Sequence, residues 1–171
     1  MEPNGELLEA LANGQAALRD SLAGISEEAA AARPSEGRWS VLECVEHAGI
    51  AEEMMLARLM KAVPCEPSRN ESRERAILTR GANRSRRVAA PDGAGPVGRF
   101  STLAAVWEYF AAVRRRTEAF VREYPGDLRA LSANHPLIGP VNGHELVLIM
   151  AVHPVRHAEQ IREIRALRVS G

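Results

Sequence analysis

Aromatic residues make up only 4% of this 171-residue sequence, cysteine occurs twice, lysine once as Lys61, and the formal net charge is zero. Each scarcity closes off a class of protein. Cys44 and Cys65 cannot build a disulfide framework, and a chain of this length does not need one, so both are expected to be reduced thiols. Because 22 basic side chains cancel 22 acidic ones, no global field draws the protein to nucleic acid or to an anionic membrane, and either partner would need a local patch. No apolar run approaches the roughly 20 residues that span a bilayer. The start, MEPNGELLEA, lacks the basic region and apolar core of a secretory signal. These absences predict a cytoplasmic protein with no membrane partner. The dominance of arginine over lysine follows from genomic base composition as readily as from chemistry and carries no functional weight.

With 46% apolar and 26% charged residues, the length fits one globular domain over 1–171 and leaves too little for two. The longest periodic segments repeat at the 3- and 4-residue spacing of helices, and four helices are predicted. The first spans about 6–31, with Leu8, Leu11, Leu18, Leu22 and Ile25 on one stripe and the breaker Arg33-Pro34-Ser35-Glu36-Gly37 after it. The second, about 40–63, opens on Ser40 and Glu43 as a capping box, with Trp39 placed to close over the first turn, and stops at Pro64. The third, about 101–124, carries Leu103, Val106, Phe110, Val113, Phe120 and Tyr124 before Pro125-Gly126. The fourth, about 142–168, opens on Asn142 with Glu145 three residues on.

Amphipathic rods of similar length bury one another's stripes as a bundle. Residues 64–100 are polar and rich in glycine and proline, and at about 3.3 Å per extended residue they can run the length of such a bundle. The third helix is therefore free to run parallel to the second. The expected fold is all-α, a four-helix bundle with a long crossover connection between helices two and three. Between Arg69 and Arg87 that connection carries seven arginines against Glu71 and Glu74. Such a run can neutralise phosphates, but it has no interleaved aromatics on which bases would stack. A solvated crossover with no nucleic-acid partner is expected.

Of the five histidines, His153 and His157 stand four apart on the fourth helix, so both imidazoles project from one face about 5–6 Å apart and can chelate one divalent ion. Leu146, Ile149 and Met150 before them, and Ile161 and Ile164 after, place the pair on the core-facing stripe. There, imidazoles are costly unless hydrogen bonds or a metal satisfy them. His47 lies near the start of the second helix, on a face with Glu43, Ile50 and Met54. If helices two and four adjoin, three imidazoles converge, and three protein ligands with open positions characterise a catalytic metal site. The spacing serves three separately hydrogen-bonded histidines equally well.

The stretch Gly37-Arg38-Trp39-Ser40-Val41-Leu42-Glu43-Cys44-Val45-Glu46-His47, the stretch His135-Pro136-Leu137-Ile138-Gly139-Pro140, and then His153, Arg156, His157 and Gln160 resemble the DinB-like (DinB/YfiT-like) superfamily of metal-binding four-helix bundles. The resemblance covers nearly the whole chain. It implies that His47, His153 and His157 hold a divalent ion, with zinc or nickel first and iron or manganese as alternatives. It further implies a metal-dependent enzyme, with low-molecular-weight thiols as cosubstrates in characterised relatives. Thiol-dependent S-transfer to a small electrophile is the first expectation, hydrolysis the second, and a non-catalytic stress-related or partner-binding bundle the competing class; a homodimer is left open.

Pro154 departs from a simple helix. It removes an N–H from the interior at a cost of about 3 kcal/mol and disfavours helical geometry at His153. Since the apolar stripe keeps its phase on both sides, a continuous, kinked helix is expected rather than one restarting at Pro154. Gln160, one turn beyond His157, Arg156 and Glu43 are the candidate catalytic residues, although Glu43 has a competing capping duty and Arg156 projects about 100° from His157 and suits an ion pair. Cys44, three residues from His47, is either a fourth ligand or a small buried thiol, and the second reading is preferred. His135 and His144 are expected in turn and cap positions near the rim of the site.

Overall fold

The computed structural model describes residues 4–169, so the first three residues of the start discussed above lie outside it. Four long helices form the bundle: α1 (Gly5–Ser21), α3 (Val41–Met60), α5 (Leu103–Glu123) and α6 (Gly143–Val169). Two short ones accompany them, α2 (Glu27–Ala31) and α4 (Glu71–Gly81). Helix α6 packs against α1 and α3, and α5 packs against α3 and α1, so α1 lies diagonally from α3 and α5 from α6.

Two apolar clusters show how the helices run. One joins Leu7 and Leu11 with Met55, Leu59, Val121 and Leu146, and the other joins Leu18 and Leu22 with Val41, Val45, Val106, Phe110 and Ile164. The start of α1 therefore shares an end with the start of α6 and with the last turns of α3 and α5. The order is up, down, down, up, with α3 and α5 parallel as the long connection between them permits.

The local signals read from the sequence appear as hydrogen bonds. Ser40 and Glu43 form a reciprocal capping box at the start of α3, Glu43 N donating to Ser40 Oγ at 3.2 Å and Ser40 N to Glu43 Oε2 at 2.8 Å. Asn142 and Glu145 do the same for α6, at 2.8 and 3.1 Å. Helix α6 continues through Pro154. The proline leaves the Met150 carbonyl without its helical donor, and the fully buried Arg114 donates to that oxygen from Nη2 at 3.0 Å. Where α1 crosses α6, a Cβ on Gly14 would fall 2.0 Å from the Ala151 carbonyl oxygen, so the approach of the two helices requires glycine.

Three features correct the sequence reading. The helix expected over 6–31 is broken after Ser21: Gly24 adopts φ +73°, and Ser26 caps α2 by accepting from Ala29 N. The connection over 64–100 is not wholly a solvated crossover, because α4 lies within it against α6, close enough that a Cβ on Gly81 would meet Val152 at 2.3 Å. Finally, a small antiparallel sheet, β1 (Val63–Pro64), β2 (Leu131–His135) and β3 (Gly139–Asn142), accompanies the bundle, with Ser132 paired to both Val63 and Asn142. Leu131 and Val141 join it to the first apolar cluster. No helix among the described residues is long and apolar enough to cross a membrane.

Candidate metal centre

His47 arrives from α3 and His153 and His157 from adjacent turns of α6, and one nitrogen of each lies within 4.8 Å of the others. The rings meet edge to face, with centroids 4.5–5.1 Å apart. Trp39, just ahead of the α3 capping box, packs on His47 at 4.7 Å and on His157 at 6.3 Å. Burial holds the His47 pKa below the ordinary imidazole value, and burial together with the neighbouring histidines holds His153 and His157 well below it. All three are neutral near pH 7, the form that ligates metal.

Their hydrogen bonds fix two of the tautomers. His47 Nδ1 lies 2.6 Å from the Ala94 carbonyl oxygen, which only accepts, so Nδ1 carries the hydrogen and Nε2 offers a lone pair. His157 Nδ1 lies 3.0 Å from Gln160 Oε1. Arg84 Nη1 also donates to that oxygen, at 3.2 Å, which establishes it as the acceptor end of the amide. His157 Nδ1 is therefore a donor too, and its Nε2 faces His153 Nε2 at 3.1 Å. Left to themselves, the pair is satisfied only if His153 Nε2 donates to His157, and His153 Nδ1 then remains buried with no partner. A cation fits this donor set better than a proton does: three neutral imidazoles suit zinc, nickel or iron, and ring N–H groups tied to a carbonyl or amide oxygen are the usual support of histidine ligands.

Each neighbour has an identifiable origin. The buried carboxylate of Glu46, next to His47 in sequence, accepts from Gly98 N at 2.9 Å and from Arg99 Nε at 3.0 Å. That pins the end of the crossover to α3 and accompanies the delivery of the Ala94 carbonyl to His47. On the other side, Arg84 follows α4, forks onto Glu163 at 2.9 and 3.0 Å, and reaches Gln160. Glu46, Ala94 and Arg84 escaped the sequence reading. A glutamate on the inner face of a helix was the one available signal, and it does not say where its partner lies.

The other candidates have definite places. Gln160 orients His157 and lines the adjoining cavity. Arg156 also lines it, but gives its guanidinium to the Asn83 and Arg86 carbonyls rather than to an acid. Glu43 is held by Ser40 and Arg33 and lies outside the cavity lining; the Arg33 hydrogen bond keeps its carboxyl below the usual range. Cys44 is a fully buried thiol in the second apolar cluster, pushed up to about 12 by burial. His144 bonds Arg129 at 2.9 Å, beside Glu74 and away from the cavity. His135 ends β2 and lines the cavity, its Nδ1 accepting from Leu137 N at 3.2 Å; burial, then the Arg58 charge, keeps it neutral.

The cavity holds about 900 Å³ and has the three histidines in its wall. It is large enough for a small organic molecule.

No curated protein matches the sequence at a significant level. The chain is similar in structure to YfiT from Bacillus subtilis, described as a probable metal-dependent hydrolase with an unusual four-helix bundle topology. The TM-score is 0.57 at 13% identity, over 98% of this chain and 87% of that one. At that identity the likeness establishes the shared four-helix bundle fold alone, and a family model described as the DinB superfamily matches residues 10–161: the chain belongs to the DinB superfamily.

Proposed function

We propose that the protein is a metal-dependent enzyme in which His47, His153 and His157 hold one divalent ion, and that it transfers a small thiol to an electrophilic substrate in the cavity. The observation that carries the metal is the histidine set itself: two Nε2 lone pairs fixed by their Nδ1 partners, beside a third ring with a buried, unpartnered nitrogen. When bound, the ion supplies Lewis acidity that lowers the pKa of a coordinated thiol or water.

The cavity lining favours the thiol over water. Hydrolysis calls for a group to take the proton of water, and no carboxylate lines the cavity among the described residues. His135 is no ready substitute: its Nδ1 accepts from Leu137 N, so the neutral ring carries its hydrogen on Nε2. A thiol of ordinary pKa about 8.5 needs far less help to ionise. In the reaction the sulfur attacks the electrophilic carbon, the leaving group departs with the bonding pair, and the thiol proton passes to solvent. The reading suits a reducing cytoplasm, where such thiols accumulate. Hydrolysis is the second reading, favoured by the description of YfiT.

The test uses protein purified without chelator or histidine tag, compared with its chelated form and with His157→Ala. About one divalent ion per chain is expected in the first, with metal-dependent consumption of a small thiol and a chlorinated aromatic or epoxide, and neither in the others. Turnover that needs metal but no thiol would favour hydrolysis. Undiminished metal content in His157→Ala would overturn the ligand assignment.

A further inference from the structure

The cavity beside the histidines is lined by arginines that the metal-dependent reading does not use. The whole chain is neutral, yet seven arginines and no carboxylate line this cavity among the described residues. Four of the seven are already engaged. Arg73 pairs with Glu145 at 3.3 Å, Arg84 with Glu163 at 2.9 Å and Arg38 with Glu163 at 4.0 Å, while Arg156 is spent on backbone carbonyls. The side chains of Arg58, Arg80 and Arg87 form no hydrogen bond or ion pair among the described residues. They come from α3, from α4 and from the segment after α4, so separate parts of the fold bring three uncommitted guanidinium groups to one concavity.

Guanidinium groups match carboxylate and phosphate oxygens with paired N–H donors. Between them the lining is apolar, with Met54, Ile77 and Ile149. Val88, Leu137 and Ile138 also line the cavity, although each is 50–58% exposed. We infer that the cavity takes a small organic anion with an apolar body, its acid groups held by Arg58, Arg80 and Arg87. The histidines lie in the same wall, and only the further statement that the anion's other end reacts there rests on the proposed metal-dependent function. A nucleic acid fits less well. The arginines surround a hollow of about 900 Å³ rather than forming a stripe, and Trp39, packed on the histidines, is the one aromatic lining residue other than histidine.

The probe is naphthalene-2,6-dicarboxylate, followed by fluorescence at physiological ionic strength and compared with its neutral diamide, in metal-loaded and in chelated protein. The dicarboxylate is expected to bind about tenfold more tightly than the diamide in both forms, the scale of a charge-assisted contact in a screened site. The combined variant R58Q/R80Q/R87Q is expected to lose that preference while keeping its diamide affinity and metal content. Arg122→Gln, an exposed arginine outside the lining, is expected to change nothing. Equal affinity for the two probes, or a preference that survives the combined variant, would overturn the inference. Tighter binding of a single-stranded oligonucleotide, lost in the same variant, would overturn it in favour of nucleic acid. A preference for the dicarboxylate in protein that takes up no metal supports the anion site and refutes the metal-dependent reading, which keeps the two failures distinct.

Discussion

Two polar sites are buried side by side on helix α6, one centred on Met150 and the other on His153 and His157, and they handle their hydrogen-bonding capacity in opposite ways. At the first, Arg114 forks onto Glu52 at 2.8 and 2.7 Å and also donates to the carbonyls of Leu11 and Met150. The pair is 0–1% exposed, and its guanidinium ties four acceptor oxygens on three helices together. At the second, three neutral imidazoles converge, His47 and His157 offer Nε2 lone pairs, and His153 Nδ1 has no partner. A buried network that is fully satisfied fixes a structure. One that keeps unused acceptors facing a cavity costs free energy until something binds.

Breaking the first site gives the largest expected effect. Glu52→Leu strands a buried guanidinium charge and is expected to cost about 3–5 kcal/mol in urea unfolding, whereas the double replacement Glu52→Leu/Arg114→Leu recovers most of that loss. An equal loss in the double variant would show that packing, not charge, dominates there. At the second site, Gln160→Leu removes the acceptor that fixes the His157 tautomer. Metal affinity is expected to fall about 10–100-fold, with little change in the unfolding midpoint of metal-free protein, both read by titration against a competing chelator and by thermal melting. The smallest effect joins the two sites through Pro154. Restoring an N–H with Pro154→Ala should help when the Met150 carbonyl has lost Arg114 and do little when it has not. A double-mutant cycle with Arg114→Leu is therefore expected to show about 1 kcal/mol of coupling; additive effects would mean that the carbonyl finds another donor.

Much of the scaffold was legible because helix signals are local. Ser40 with Glu43 and Asn142 with Glu145 mark helix starts through contacts three residues apart, and both boxes are formed. The continuity of α6 through Pro154 followed from the unbroken phase of its apolar stripe. The break in the first helix had a readable cause in Gly24 and Ser26, but the stripe through Leu22 and Ile25 outweighed it. Both residues do pack on the second core cluster, without being helical continuations of α1. The β2–β3 hairpin was harder to see, since four- and five-residue strands with Pro136 and Pro140 between and within them carry little alternation.

The sequence by itself determined the four amphipathic rods, the need for a long connection between the second and third, and the i, i+4 spacing of His153 and His157, because each depends on residues within a few turns of one another. Only the tertiary structure decided that α3 lies beside α6 so that His47 completes the cluster, that Ala94, 47 residues away, sets the His47 tautomer, and that Arg114 crosses 62 positions to meet Glu52. The same is true of the arginines around the cavity: along the chain Arg58, Arg80 and Arg87 look like solvated surface charge. Helical periodicity says which face of a rod is buried, whereas the identity of the group met on the neighbouring rod depends on how the rods pack, on their relative heights and directions, and no local spacing encodes that.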